Sequence, residues 1–278
     1  MTQTINYQNQ TIPTLGLGTW QALDGECADA VEYALSIGYR HIDTAQIYEN
    51  EAEVGQGMAR SSVSRGDIFL TTKIWMDQLA EGDLQASLDE SLKKLGTDYV
   101  DLLLIHWPVE EVPLAEQLGA LESVKQAGKV RLTGVSNYTV QWLENAKAIA
   151  PGIVNNQVEY HPFLSQAPVL EWLRKHDMFL TAYCPLARGQ IKSDTTLKEI
   201  GAAHGKTPGQ VALRWLVQQE AVVAIPKSVN KSRIKENVEI FDFALSDDEM
   251  QQISALTNQQ KRLIAPGWSP DWDAAIAA

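Results

Sequence analysis

A closed (β/α)8 TIM barrel with a small β-hairpin in front of it is the fold that this sequence predicts, and three observations predict it. From residue 15 onward, short β-rich segments alternate with longer amphipathic ones, the pattern that calls for parallel strands and crossover helices. Eight such units can be counted, and eight in one domain imply a sheet closed on itself rather than an open one. All of them fit within 278 residues with no linker, internal repeat or low-complexity run, so residues 1–278 are read as a single barrel domain.

Taken in order, residues 3–12 (QTINYQNQTI) alternate polar and apolar around Asn9, which predicts a hairpin that plugs one end of the barrel. The predicted strands are 15–17, 41–43, 68–74, 100–106, 130–135, 154–158, 179–183 and 222–225. Helical stretches at 27–37, 83–95, 114–127, 140–148, 167–175, 208–218 and 232–239 lie between or after them. The tail from residue 258 contains Pro and Trp and reads as an ordered loop laid over the active-site face, not as a helix.

Composition narrows the function classes. Hydrophobic residues make up 45% and charged residues 21% of the chain, which suits a globular core and excludes general disorder. The formal net charge is −12. Nucleic acid and anionic membrane surfaces need basic stripes, so neither is an expected partner. Cys27 and Cys184 fit no CxxC or zinc spacing and suggest no disulfide framework. The N-terminus has no basic and apolar leader pattern, and no apolar run approaches 18 residues. The expectation is a soluble, cytoplasmic, monomeric enzyme acting on a small molecule.

A barrel places its chemistry where the strands end, at the C-terminal face. The polar residues at those ends are Asp43 and Tyr48 after the second strand, Lys73 after the third, His106 after the fourth, Ser136 and Asn137 after the fifth, and Gln157 in the sixth. The seventh strand ends in Tyr183, and the eighth runs into Pro226, Lys227 and Ser228. A lone histidine such as His106 is more often a satisfied core residue than a catalyst. Packing alone does not explain why so many polar groups converge on one rim.

Within that set, the stretch HIDTAQIYENE (41–51) is the most informative. By itself it fits a helix start capped by Asp43 with Tyr48 packed beneath. Chemically, it offers a phenol that can hand over a proton, provided a neighbouring cation stabilises the phenolate, since the ordinary tyrosine pKa is about 10. Lys73 is the candidate cation, and Asp43 can hold its ammonium charged.

Several other patterns carry no chemistry. Gly16 and Gly18 form a GxG without the third glycine of a dinucleotide fingerprint. Gly205-Lys206-Thr207 resembles the end of a phosphate-binding loop, but Gly201 lies at the wrong distance. Thr207 and Pro208 are better read as the cap and first turn of a helix. The histidines show no zinc spacing, and no metal is expected.

With these residues in place, the whole chain resembles an aldo-keto reductase. The matching segments are GLGTW at 16–20, the Asp43 to Tyr48 stretch, TTKIW at 71–75, LLLIHWP at 102–108, GVSN at 134–137, NNQVEYHP around Gln157, and IPKS at 225–228 with Arg233, Glu236 and Asn237 beyond it. The details TAQIYENE and RLIAPGWSPDWD are similar to the bacterial 2,5-diketo-D-gluconate reductases of the B type. The resemblance implies NADPH bound without a Rossmann fold, and a carbonyl reduced to an alcohol by hydride transfer. It implies Asp43, Tyr48, Lys73 and His106 as the catalytic set, with Tyr48 as general acid, its phenol pKa lowered by Lys73, and His106 polarising the carbonyl.

The resemblance also assigns the cofactor. Tyr183 would stack on the nicotinamide, while Ser136, Asn137 and Gln157 would bond its carboxamide. Lys227, Ser228 and Arg233 would grip the 2′-phosphate, Glu236 and Asn237 would hold the adenine, and Thr19, Trp20, Pro185, Leu186 and Pro226 would complete the contacts. Residues 226–237 are locally basic in an acidic chain, which suits a phosphate. Trp20, Trp75, Trp107 and Trp268, together with His106 and with Trp272 from the tail, are expected to wall the substrate pocket. The segment 184–190 is short, so no long loop is expected to close over the dinucleotide. An open pocket follows, suited to small polar carbonyls such as 2,5-diketo-D-gluconate or methylglyoxal.

Two other readings compete. Lys73 could form a Schiff base in a barrel aldolase, a role that needs a neutral amine. Alternatively, the chain could be a catalytically weak barrel that binds the cofactor as a partner subunit.

Overall fold

The computed structural model describes residues 3–23 and 25–272; the end of the expected tail, 273–278, lies outside the described residues. Strands β1 (Thr4–Tyr7) and β2 (Gln10–Pro13) form the antiparallel hairpin. Its turn puts Gln8 and Asn9 at φ 46° and 64°, the two left-handed residues that a tight hairpin needs. Ile12 is fully buried against Phe69, Leu102 and Phe179, and the Tyr7 ring lies 5.0 Å from that of Phe179. The hairpin therefore plugs the N-terminal mouth of the barrel, as its alternation predicts.

Eight parallel strands follow in sequence order: β3 (Leu17–Gly18), β4 (His41–Asp43), β5 (Phe69–Ile74), β6 (Val100–Ile105), β7 (Val130–Ser136), β8 (Asn155–Glu159), β9 (Phe179–Tyr183) and β10 (Val222–Ala224). Closure comes from Gly16 N–H donating to the Ala224 carbonyl at 2.9 Å and Gly18 N–H to that of Pro226 at 3.1 Å. A Cβ at Gly18 would sit 2.8 Å from the Ile225 carbonyl oxygen, so this seam requires glycine. Side chains alternate across the wall, with Leu102 and Leu104 inside the barrel and Leu103 and Ile105 outside it under the helices.

The helices are α1 (Glu26–Ser36), α2 (Glu51–Arg60), α3 (Asp83–Leu95), α4 (Leu114–Gln126), α5 (Val140–Ile149), α6 (Ala167–Lys175), α7 (Thr195–His204), α8 (Pro208–Gln218), α9 (Lys231–Val238) and α10 (Asp247–Ala255). Thr207 caps α8 with Pro208 in its first turn, as expected. The sequence reading did not single out α2, α7 or α10. Gly55 and Gly57 disguise α2, since each glycine costs about 1 kcal/mol relative to alanine. They are there for close packing: a Cβ at either would lie 2.6 Å from a backbone oxygen, of Leu95 and of Ala28 respectively. Among the described residues, no helix is long and apolar enough to cross a membrane.

Candidate active site

Parallel register assembles the centre of the site. Asp43 pairs with Thr71 in the neighbouring strand, and Lys73 lies two residues beyond Thr71 on the same face. Its Nζ donates to Asp43 Oδ1 at 2.6 Å, to the Thr44 carbonyl at 2.8 Å and to Tyr48 Oη at 3.4 Å. Gln157 Nε2 donates to the other carboxylate oxygen at 2.7 Å. Tyr48 ends a 3₁₀ turn, which Gln46 fastens by accepting from the Trp75 N–H and donating to Ser87 and Ser91. Asn50 ties the loops after β3 and β4 together by donating to the Thr19 and Ala22 carbonyls.

His106 follows β6 and faces this group. Its ring stands edge-on to Tyr48 at 5.8 Å and to Trp75 at 5.1 Å, and its buried Nδ1 has no hydrogen-bond partner in the protein. Burial, followed by the Lys73 charge, holds the imidazole pKa well below 6.5, so His106 is neutral. Burial also pushes the Tyr48 phenol well above 10, with Asp43 and Cys184 adding to the effect. This corrects the expectation that Lys73 lowers it: in the resting site desolvation prevails, and the ammonium is committed to Asp43 and Thr44. The consequence is a fully protonated phenol beside a buried lysine. Burial lowers the Lys73 pKa against the opposing pull of Asp43. A Schiff-base role does not fit a lysine with no exposure and three internal acceptors.

A cavity of about 1290 Å³ opens over these residues, above the roughly 300–1,000 Å³ that holds one drug-sized molecule. Trp20, Trp75, Trp107, Ile47, Ile264 and Trp268 wall the end beside Tyr48 and His106. Trp272 does not join them. It packs edge-on against Trp107 at 6.1 Å and lies under the Arg262 guanidinium at 3.7 Å, outside the cavity.

The other end runs past Asn137, Gln157 and Tyr183 to Pro226, Lys227, Ser228 and α9. Tyr183 donates to Asn137 Oδ1 at 2.8 Å, and Asn137 Nδ2 donates to the His106 carbonyl at 3.0 Å. Ser136 stands behind this wall: its hydroxyl donates to the Gln157 carbonyl at 2.8 Å and does not reach the cavity. Ser228 accepts from the Asn230 N–H, and Asn230 caps α9 through the Arg233 N–H. Glu236 accepts from the Thr207 hydroxyl at 2.6 Å, and Lys227 reaches the Gln21 carbonyl at 3.0 Å. Thr19, Trp20, Pro185, Leu186, Arg233 and Asn237 also border the cavity. Its size, its aromatic side at Tyr183 and its basic end fit a nicotinamide dinucleotide together with a small second molecule.

Sequence reasoning missed Ile47, Ile264, Arg188 and Lys192, all on the cavity wall. The Arg188 guanidinium lies 5.2 Å over the Trp20 ring, spanning the cleft; a charge in the short segment after Tyr183 was the available signal. Cys184 also lines the cavity and is only partly buried. Burial and Glu159 push its thiol up to about 11.

Comparisons with known proteins agree with this geometry. The pattern of the Aldo/keto reductase family matches residues 14–258. Methylglyoxal reductase DkgB of Escherichia coli O157:H7 is 41% identical over 267 residues, covering 94% of this chain and 99% of the relative. The 9,11-endoperoxide prostaglandin H2 reductase of Trypanosoma cruzi (strain CL Brener) is 43% identical over 265 residues, covering 94% and 92%. A crystal structure named as a candidate 2,5-diketo-D-gluconic acid reductase B superposes with a TM-score of 0.94 at 47% identity, covering 99% of this chain and 98% of that one. A closed barrel with Asp43, Tyr48, Lys73 and His106 gathered on its C-terminal rim, matched along nearly its whole length by such relatives, identifies the chain as a member of the aldo/keto reductase family, an enzyme that reduces carbonyl compounds.

Proposed function

We propose that the chain is an NADPH-dependent reductase of small polar aldehydes and ketones, with methylglyoxal and 2,5-diketo-D-gluconate as the first candidates and Tyr48 as the general acid. The observation that carries this reading is the Asp43–Lys73–Tyr48 chain, with contacts of 2.6 and 3.4 Å, opening beside neutral His106 onto a cavity large enough for two molecules. The relatives named for methylglyoxal and diketogluconate support the substrate class.

Bound nicotinamide would supply the hydride, and every other step falls to the protein. Tyr183 and Asn137, held by their mutual hydrogen bond, and Gln157 would fix the ring at the wall beside Tyr48. Lys227, Ser228 and Arg233 would hold the 2′-phosphate, with Glu236 and Asn237 at the adenine. The substrate oxygen would lie between Tyr48 and His106. His106 would donate a hydrogen bond to it, and as negative charge grows there the Tyr48 proton would cross to the oxygen. Lys73, kept in line by Asp43, would then face the phenolate and stabilise it. The low polarity that holds the phenol protonated at rest also strengthens that attraction.

This reading needs one chain only, and we expect a cytoplasmic monomer. The test is NADPH oxidation with methylglyoxal, 2,5-diketogluconate and an aromatic aldehyde, run beside Tyr48→Phe. Turnover that collapses in the variant while NADPH still binds supports the acid. Tight NADPH binding with no turnover of any carbonyl would favour a cofactor-binding subunit instead.

A further inference from the structure

We infer that Glu159 is a positioning residue of the substrate pocket, a clamp whose carboxylate fixes the C-terminal segment and thereby sets the wall made by Ile264, Pro266 and Trp268. The inference rests on the reductase reading above and adds to it a residue that touches neither substrate nor cofactor.

Glu159 is the last residue of β8. Strand alternation puts it on the same face as Asn155 and Gln157, and these three use their side chains for three different tasks. Asn155 Nδ2 donates across to the Phe179 carbonyl and the Thr181 hydroxyl, tying β8 to β9. Gln157 reaches Asp43. Glu159, with no exposure, reaches the C-terminal segment: its Oε1 accepts from the Leu263 N–H at 2.7 Å and its Oε2 from the Ile264 N–H at 2.8 Å.

A third donor completes the clamp. The Phe163 N–H donates to His161 Nδ1 at 3.2 Å, so the ring proton sits on Nε2, which lies 3.0 Å from Glu159 Oε1 and donates to it. Close by, the Lys261 N–H donates to the Phe163 carbonyl at 2.7 Å. Among the described residues the segment has no regular secondary structure beyond residue 259, so these bonds, with the ring contacts of Trp268 and Trp272, hold its course. Ile264, Pro266 and Trp268 enter the cavity from this stretch, and Trp268, although 55% exposed, meets Trp75 edge-on at 6.4 Å. A buried carboxylate that accepts backbone N–H groups loses far more than one hydrogen bond when a partner is withdrawn, because the remaining polar groups stay desolvated.

The consequence separates substrates by reach. A carbonyl as small as methylglyoxal needs only Tyr48 and His106, whereas an aromatic aldehyde must also lean on Trp268. In Glu159→Gln, where the amide cannot accept from both N–H groups, KM for benzaldehyde is expected to rise about tenfold with kcat changed by less than about threefold, while the NADPH dissociation constant holds. Trp268→Ala should raise the same KM, and the double variant should add little to either single change, since the clamp acts through the wall it positions.

An activity-independent readout accompanies this. Trypsin cleaves after Lys261 and Arg262, and cutting the 262–263 bond requires the Leu263 N–H to leave Glu159. Native-state cleavage there should accelerate about tenfold or more in Glu159→Gln as local opening becomes easier. If Glu159→Gln does not fold, Leu263→Pro removes one donor from the tail side and should give the same rise in KM, with the accelerated cleavage then read at the 261–262 bond, because trypsin does not cut before proline. An unchanged trypsin rate, or equal loss of activity on all substrates together with NADPH binding, would overturn the clamp. Wild-type inactivity on every carbonyl would instead sink the reductase reading, leaving the trypsin rate to decide on the clamp alone.

Discussion

Gln157 donates to Asp43 Oδ2 at 2.7 Å while Lys73 donates to Oδ1 at 2.6 Å, so a residue 114 positions away in sequence aims the carboxylate that holds the buried ammonium. Each oxygen has one donor, and the geometry fixes which face of Lys73 meets Tyr48. Asp43→Asn keeps the shape but removes the charge. Burial already lowers the Lys73 pKa, so without its counter-ion the amine sheds its proton and no longer stabilises a phenolate. The expected result is a fall in kcat of about 10²-fold with NADPH affinity nearly unchanged. A variant with wild-type kcat would show that the pair is structural only.

Acid should destabilise this protein through its buried histidines. His41 and His106 both have pKa values lowered by burial, so from about pH 6.5 downward the unfolded chain takes up protons that the folded one refuses. The stability they contribute is present above their unfolded pKa and is lost as pH falls toward their folded values, with a slope of at most ~1.4 kcal/mol per pH unit per group. Urea midpoints at pH 7 and pH 5 measure this. His106→Gln should narrow the gap between them; an unchanged gap would remove His106 from the account.

Cys184 lines the cavity beside Tyr183 but should be chemically quiet. With its thiol pushed up to about 11, only about 10⁻⁴ of it is thiolate at neutral pH. Iodoacetamide should therefore inactivate the enzyme slowly near pH 7 and faster as pH approaches 10. Cys184→Ser should retain kcat to within about threefold, as expected of a group outside proton transfer. Rapid alkylation at pH 7 would mean that in solution the pull of Arg188 on the thiol outweighs burial and Glu159.

How far the sequence leads can be judged from particular residues. The eight strands were legible because parallel strands covered on both sides read as short continuous apolar runs, and Asp43, Lys73 and His106 stood out as the polar residues ending such runs. Helix α2 stayed hidden because the glycines that let it approach α1 and α3 also erase its propensity signal. Helix α10 was readable in principle: Ser246 and Glu249 form a capping box, a local pattern that needs no tertiary context. Ser136 and Trp272 were misplaced for another reason. Their neighbourhoods depend on which way a side chain turns at a strand end or in an irregular tail, and no periodicity governs either. Glu159 was invisible as a clamp because the two donors it takes from the tail are backbone groups, which carry no residue-type signal.

Arg233 provides the sharpest test of the cofactor. Its backbone N–H is held by the Asn230 cap, which fixes the first turn of α9, while among the described residues its guanidinium has no ion-pair partner and borders the cavity. Lys227 lies on the same rim but already donates to the Gln21 carbonyl, so its charge is partly engaged. A planar guanidinium suits a phosphate better than an ammonium does, because two parallel N–H groups meet two oxygens. Arg233→Ala should therefore raise the NADPH dissociation constant by about tenfold or more and leave that for NADH within about twofold. It should also flatten the dependence of NADPH binding on salt. Equal weakening of both dinucleotides would place Arg233 on a contact they share, and the 2′-phosphate would then have to be held elsewhere, with Lys227, Arg188 and Lys192 the other cations bordering the cavity.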